Sequence, residues 1–96
     1  MIVVISKNSL VEKADDLIII NQPITIIDDY HYELEGNVRE FSYLIFDDIA
    51  LVNNLEKIGV LIDENIPVTN CYGETSIDQI FYGNINTCLK YLRNGD

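Results

Sequence analysis

Acidic side chains in adjacent pairs are the residues of this sequence most suited to chemistry. Four pairs occur, namely Asp15-Asp16, Asp28-Asp29, Asp47-Asp48 and Asp63-Glu64. Two carboxylates can bind Mg²⁺ together, or divide the roles of general acid and general base. However, adjacent residues on a strand point to opposite faces, and each pair stands at the end of a predicted element. We therefore interpret all four pairs as turn and capping residues and predict no catalytic residue among them.

Other groups that could do chemistry are sparse. The single histidine is His31, and Cys71 and Cys88 do not form a CxxC pair. A zinc site needs four ligands at characteristic spacings, so we predict no metal ion and no cofactor. We interpret both cysteines as small buried hydrophobic residues in a reducing compartment. The serines lack an activating histidine and acid, and the glycines form no phosphate-binding loop. We expect the protein not to be an enzyme.

The charge of the chain limits its partners. Sixteen acidic residues outnumber six basic ones, for a formal net charge of −10. Binding of nucleic acid depends on Lys and Arg displacing counterions, so direct binding of DNA or RNA by this chain alone is not expected. Two interpretations remain open. The acidity keeps a small domain soluble, or an acidic face meets a basic protein partner or imitates DNA toward one.

Length and hydropathy predict a single domain over residues 1–96. Its hydrophobic content of 48% is enough for a core between two layers. The sequence has no run of eighteen apolar residues, so no membrane partner or membrane span is predicted. The N-terminus has no basic region before its apolar run and no cleavage site after it, and we expect a cytoplasmic protein.

The N-terminal half has the pattern of short strands joined by tight turns. Short apolar segments rich in β-branched residues alternate with turn signals. The predicted strands cover residues 2–5, 9–13, 17–20 and 24–27. Their short connections favour an antiparallel meander over parallel units with long crossovers.

Two tyrosines follow these strands in a polar segment that ends at Gly36-Asn37, a hairpin turn signal. Tyr30 and Tyr32 would share one face of a strand. They either cover the edge of a sheet or form a contact surface. The candidate interaction residues are Tyr30, Tyr32, Asp28, Asp29, Asp47 and Asp48.

Residues 42–71 have the pattern of a strand–helix–strand unit. The apolar run 43–46 predicts a buried strand, and Asp48 can cap a helix that follows it. Helical spacing of apolar residues from Ile49 to Ile62 predicts that helix, despite Gly59 within it. Asn65 would be its C-cap, and residues 67–71 a second strand.

A last helix is predicted from Ser76, with Gly83-Asn84 weakening it midway. The predicted fold class is therefore α+β: a small, mainly antiparallel sheet of hairpins, a strand–helix–strand unit, and a C-terminal helix packed on it.

Two stretches of the chain are similar to the N-terminal β domain of the CRISPR-associated spacer-acquisition integrase. The start, VVISKNSLVEKADDLIII, resembles the opening hairpins of that family. Residues 41–71 resemble its strand–helix–strand unit, including the step DENIPVTNC into the last strand. The resemblance covers residues 2–71, with residues 72–96 as a helical extension.

The resemblance implies association rather than catalysis. The family's metal ligands lie in a larger helical domain that has no counterpart in these residues, and His31 cannot be assigned as one of them. The chain would be a free-standing version of the β domain or a fragment. We predict a non-catalytic interaction module that forms a homodimer or binds a CRISPR adaptation or effector protein, in a prokaryotic cell or a phage-infected host. The alternative is an acidic phage-type inhibitor, an anti-CRISPR protein or DNA mimic, that blocks a basic nucleic-acid-binding protein.

Overall fold

Strands dominate the computed structural model, which describes residues 1–8, 11 and 13–94. Within these residues the chain forms ten short strands, one turn of 3-10 helix and one α-helix. In chain order they are β1 (Ile2–Ile5), β2 (Leu17–Ile20), β3 (Ile24–Ile26), β4 (His31–Leu34), β5 (Asn37–Glu40), β6 (Tyr43–Phe46), the 3-10 helix (Ile49–Leu51), β7 (Val52–Asn53), β8 (Ile62–Asp63), β9 (Ile66–Pro67), β10 (Ile80–Tyr82) and α1 (Ile85–Asn94).

The main sheet contains four strands in the order β10-β6-β1-β2, and every neighbouring pair in it is parallel. Val3 is paired with Ile18 on one side and with Leu44 on the other. The strands are continuous runs of Ile, Val, Leu and aromatic residues, which suit a sheet that is covered on both faces.

The side chains of the main sheet alternate between two hydrophobic clusters. Val3 and Phe46 belong to the cluster that the second sheet completes, whereas Val4 and Phe81 pack with Leu89 of α1. This alternation follows from the period of two along a strand. The result is three layers, with the main sheet between the second sheet and α1.

The second sheet has the order β5-β4-β3-β7. Strand β4 is antiparallel to both β3 and β5, while β7 lies parallel to β3. Glu35 and Gly36 form the β4–β5 turn with φ values of 51° and 82°, so the predicted hairpin is present with its turn one residue earlier. A third, two-stranded sheet is the β8–β9 hairpin.

The α+β class and the C-terminal helix are confirmed, but the predicted antiparallel meander is wrong for the main sheet. The meander was expected to place residues 9–13 as an antiparallel strand between β1 and β2, yet β1 pairs directly with β2, and the two strands are parallel. Val11, between β1 and β2 in the chain, joins the hydrophobic cluster beneath α1. Of the predicted strand 9–13, residues 9, 10 and 12 lie outside the described residues.

The helix predicted between Ile49 and Ile62 is also wrong. Asp48 does cap a helix, since its side chain accepts a hydrogen bond from the backbone N–H of Ala50, but that 3-10 helix ends at Leu51. Val52 then pairs with β3. Asn54 and Gly59 have φ values of 78° and 105°, which no right-handed helix accommodates.

The C-terminal part of the predicted strand–helix–strand unit also differs from the prediction, again because residues with positive φ form a turn. Asn65 is not a C-cap but the second residue of the β8–β9 turn, where Glu64 and Asn65 have φ values of 51° and 67°. The strand predicted over residues 67–71 is limited to Ile66–Pro67. The apolar residues from Ile49 to Ile62 therefore contact the core from turns and short strands and do not form one face of a helix.

The predicted last helix is shorter than expected. Ile80–Tyr82 is a strand that pairs with β6, and α1 begins at Ile85 after Gly83-Asn84. The Asn84 side chain accepts a hydrogen bond from the backbone N–H of Thr87, as a capping residue does. The segment expected as a helical extension therefore contributes an integral strand to the main sheet.

Helix α1 packs on the main sheet through its buried side chains, among them Ile85 and Leu89. Near its end, Arg93 forms an ion pair of 2.7 Å with Asp16, just before β2. Cys88, on the face of α1 that meets the main sheet, is buried as predicted, and burial raises the pKa of its thiol to about 11. Cys71, in contrast, is exposed, so the expectation that both cysteines are buried is wrong for this residue.

Candidate functional site

A groove of about 1040 Å³ opens beside the main sheet, at the amino ends of β6 and β10. Aromatic and acidic side chains line most of it. They are Tyr30, Glu40, Phe41, Tyr43, Glu74, Asp78, Phe81 and Tyr91, with His31 at one side. None of the described residues that line the groove is Lys or Arg. We call it the aromatic–acidic groove.

The parallel sheet brings these distant residues together. Tyr43 begins β6, and the backbone N–H of Leu44 donates to the carbonyl of Gln79, so the starts of β6 and β10 are adjacent. Helix α1 leaves the opposite end of β10 and runs back along the sheet. Tyr91, near the end of α1, therefore lies beside the amino ends of the strands.

The rings of Tyr43, Phe81 and Tyr91 form one wall of the groove, and Tyr72, which is not a lining residue, stacks on Tyr91. Tyr91 stacks on Tyr72 with ring centroids 4.3 Å apart and planes inclined by 16°. Phe81 lies 6.1 Å from Tyr91 and 6.2 Å from Tyr43, the latter in an edge-to-face arrangement. Aromatic pairs of this geometry stabilise each other beyond simple burial, so the wall is preorganised.

Glu74 is held at the foot of this wall. The Asn70 amide donates a hydrogen bond of 2.7 Å to the Glu74 carboxylate, and the Asn70 oxygen accepts from the backbone N–H of Glu74. The negative charge of Glu74 raises the pKa of Tyr91 above its ordinary value. Glu74 thus presents a fixed negative charge beside an aromatic ring.

His31 is the ionisable base at the groove. Its Nδ1 lies 2.8 Å from the Asp28 carboxylate, and its Nε2 lies 3.7 Å from that of Glu40. The hydrogen bond to Asp28 raises the pKa of His31, and the backbone N–H of Tyr30 lowers the pKa of Asp28. As pH rises through the pKa of His31, the groove loses this positive charge and becomes more negative.

The two tyrosines singled out in the sequence have different environments. Tyr30 is 52% exposed and lines the groove, where the Gln79 amide donates a 3.0 Å hydrogen bond to its hydroxyl. Tyr32 is fully buried in the core, with Phe41 6.2 Å away. Its hydroxyl has no hydrogen-bond partner among the described residues. The two residues therefore do not share a surface.

The four candidate aspartates are dispersed. Asp28 adjoins the groove through His31, and the neighbouring Asp29 is exposed. Asp47 lies at the opposite end of β6, where it accepts a 2.8 Å hydrogen bond from the Ser6 hydroxyl. Asp48 is the capping residue of the 3-10 helix. The structure brings Asp28 and Tyr30 to the groove and places Tyr32, Asp47 and Asp48 elsewhere.

Sequence reasoning missed most of the groove. Glu40, Tyr43, Glu74, Asp78 and Tyr91 are spread over half of the chain and form no motif. The abundance of tyrosine among acidic residues is a weak compositional signal for such a site. Their meeting depends on the parallel pairing of β6 with β10, which the sequence did not predict.

The groove has the chemistry of a cation-binding surface. Aromatic faces attract Lys and Arg, and carboxylates form charge-assisted hydrogen bonds with them.

Among the described residues, no group of three or more His, Cys, Asp and Glu side chains could hold a metal ion. No helix of the described chain is long and apolar enough to cross a membrane.

Comparison with known proteins adds no relative. No protein family, no curated protein and no solved structure matches this chain. The resemblance to the integrase β domain stays a hypothesis, and the helix of its strand–helix–strand unit is not formed here.

Proposed function

We propose that this protein is a non-catalytic protein-interaction module whose aromatic–acidic groove binds a basic segment of a protein partner. The observation that carries the proposal is the meeting of Glu40, Glu74 and Asp78 with the rings of Tyr43 and Tyr91 in one groove whose described lining has no Lys or Arg. Among side chains that could enter such a groove, a cation makes the most favourable interactions with its carboxylates and aromatic rings.

The magnitudes favour a specific basic segment over general attraction. A cation over an exposed aromatic face gains about 0.5–1 kcal/mol. A charge-assisted hydrogen bond adds about 1.5–3 kcal/mol. The net charge of −10 would in addition speed the approach of a basic partner.

Proteins that bind nucleic acids present such basic segments, and they are the partner class we propose. The similarity to the integrase β domain makes a CRISPR adaptation or effector protein the first candidate. An alternative is that the chain is a phage-type inhibitor that occupies the basic channel of its target, which the acidic excess supports. Duplex DNA would then displace the protein from that target, whereas an assembly subunit would stay bound.

Self-association is a further candidate, because the edge strand β5 has all four of its residues exposed. Sedimentation velocity in ordinary salt would show a dimer if two copies pair. A monomer at high micromolar concentration would contradict pairing without affecting the groove.

A peptide titration tests the role of the groove. The probe is a fluorescein-labelled peptide of alternating arginine and glycine, measured by fluorescence anisotropy. The groove variant Glu40→Gln/Asp78→Asn removes two charges from the lining. The control Asp15→Asn/Glu56→Gln removes the same charge from exposed residues elsewhere.

We expect the groove variant to weaken binding about tenfold and the control to weaken it by less than about twofold. Equal weakening by both variants would mean that only the net charge attracts the peptide. That result would overturn the proposal.

A further inference from the structure

The β8–β9 hairpin carries apolar side chains on both faces, and its outer face also includes Asp63. Ile62 packs against the core and Pro67 is buried. On the other face Leu61, Ile66 and Val68 are 62%, 53% and 48% exposed. A hairpin with one face on the core normally carries polar residues on its outer face, so this face is a candidate interaction surface.

The register of the hairpin places these side chains together. Asp63 is paired with Ile66 across the turn, and the backbone N–H of Val68 donates to the carbonyl of Leu61 at 2.9 Å. Residues opposite each other in an antiparallel pair share a face. Leu61 and Val68 therefore form a side-by-side apolar pair on the outer face.

A shallow hollow of about 420 Å³ joins this pair to the aromatic–acidic groove. Leu61 and Val68 line the hollow together with Glu74 and Asp78. The same two acidic residues also line the groove. A polypeptide that lies across Glu74 and Asp78 would meet the apolar side chains of the hollow on one side and the aromatic rings and carboxylates of the groove on the other.

We propose that the groove and the outer face of the hairpin together bind one amphipathic, basic segment of a partner protein. Its apolar side chains lie on Leu61 and Val68, and its Lys or Arg side chains enter the groove past Glu74 and Asp78. This inference rests on the proposed function and extends it, because it makes the partner segment apolar as well as basic.

Charge decides among the possible occupants. A nucleic acid or an anionic membrane surface would meet the carboxylates of Glu74 and Asp78 with like charge. A second copy of this chain would bring another net charge of −10 to the same face. An amphipathic basic segment fits both halves of the surface, because its apolar side chains can pack on Leu61 and Val68 and its cations can meet Glu74 and Asp78.

Two peptides of equal length and charge test the inference, one alternating lysine with leucine and the other alternating lysine with serine. The hairpin variant is Leu61→Ser/Val68→Ser. The control, Ile27→Ser/Val38→Ser, removes two exposed apolar side chains outside the hollow. Circular dichroism checks that each variant is folded.

We expect the wild-type protein to bind the lysine–leucine peptide about tenfold more tightly than the lysine–serine peptide. The hairpin variant should lose this preference and the control should keep it. A hairpin variant that keeps the preference overturns the inference, while the proposed function stands if Glu40→Gln/Asp78→Asn still weakens both peptides. If that groove variant weakens neither, the proposed function itself fails. A wild-type dimer that the hairpin substitutions dissociate would make a second copy the occupant and overturn the inference.

Discussion

Individual residues show where local rules apply. Asp48 and Asn84 cap the helices that follow them, as short polar side chains at such positions do. Tyr32 does not follow its polar neighbours, because the sheet pairing turns its ring into the core. Gly73 is a third case, since its backbone conformation and its neighbours both exclude a side chain.

Gly73→Ala is expected to destabilise the protein. Gly73 has a φ of +89°, and a Cβ there would lie 2.6 Å from the Cys88 sulfur and 3.0 Å from the Tyr82 carbonyl oxygen. Strain and overpacking together should lower the free energy of unfolding by about 2–4 kcal/mol. Urea denaturation followed by circular dichroism measures the loss.

The matched control is Gly36→Ala. Gly36 also has a positive φ of +82°, but no atom lies within 4 Å of its Cβ position. Its free energy of unfolding should fall by only about 1 kcal/mol, which is the cost of the backbone strain alone. Equal losses at both positions would contradict the close packing of Gly73 on α1.

The elements show that an apolar period is not sufficient to make a helix. Ile49, Leu51, Leu55 and Ile58 have helical spacing, but Val52 pairs with β3 and the chain turns at Asn54 and Gly59. A short segment gains more from filling the space between two sheets than from an isolated helix, which is marginal at this length.

Substitutions at Gly59 and Glu64 distinguish the predicted helix from the observed turns, because the sign of the stability change differs between them. In a helix, Gly59→Ala would raise stability by about 1 kcal/mol. In the observed turn, with φ of +105°, we expect a loss of about 1 kcal/mol. Thermal unfolding by circular dichroism measures both variants.

Glu64→Asn should have the opposite effect in the β8–β9 turn. Glu64 has a φ of 51°, which Asn adopts more readily, so a gain of about 0.5 kcal/mol is expected. If Gly59→Ala stabilised the protein and Glu64→Asn destabilised it, the result would indicate the predicted helix and contradict the observed turns.

The charge of the whole molecule affects its stability. A net charge of −10 on 96 residues opposes compaction through self-repulsion, which dissolved salt screens. Raising NaCl from about 10 mM to about 150 mM should increase the melting temperature by about 4 °C. Differential scanning fluorimetry measures the shift.

The variant Asp15→Asn/Glu56→Gln provides the comparison for this experiment. It carries two fewer negative charges at exposed positions, so its melting temperature should rise less with salt. Wild-type and variant proteins with the same salt response would show that self-repulsion does not limit stability.

The sequence alone determined the strands β1, β2 and β6, the β4–β5 hairpin, the α+β class and the helix cap at Asp48. These features depend on local composition, since β-branched runs and capping residues act over a few neighbours. Only the tertiary structure decided the parallel order β10-β6-β1-β2 and the loss of the predicted helix after Leu51. Strand direction and pairing are settled by contacts between distant segments. The aromatic–acidic groove is built from those contacts, so Tyr43, Glu74 and Tyr91 become one site only after the chain has folded.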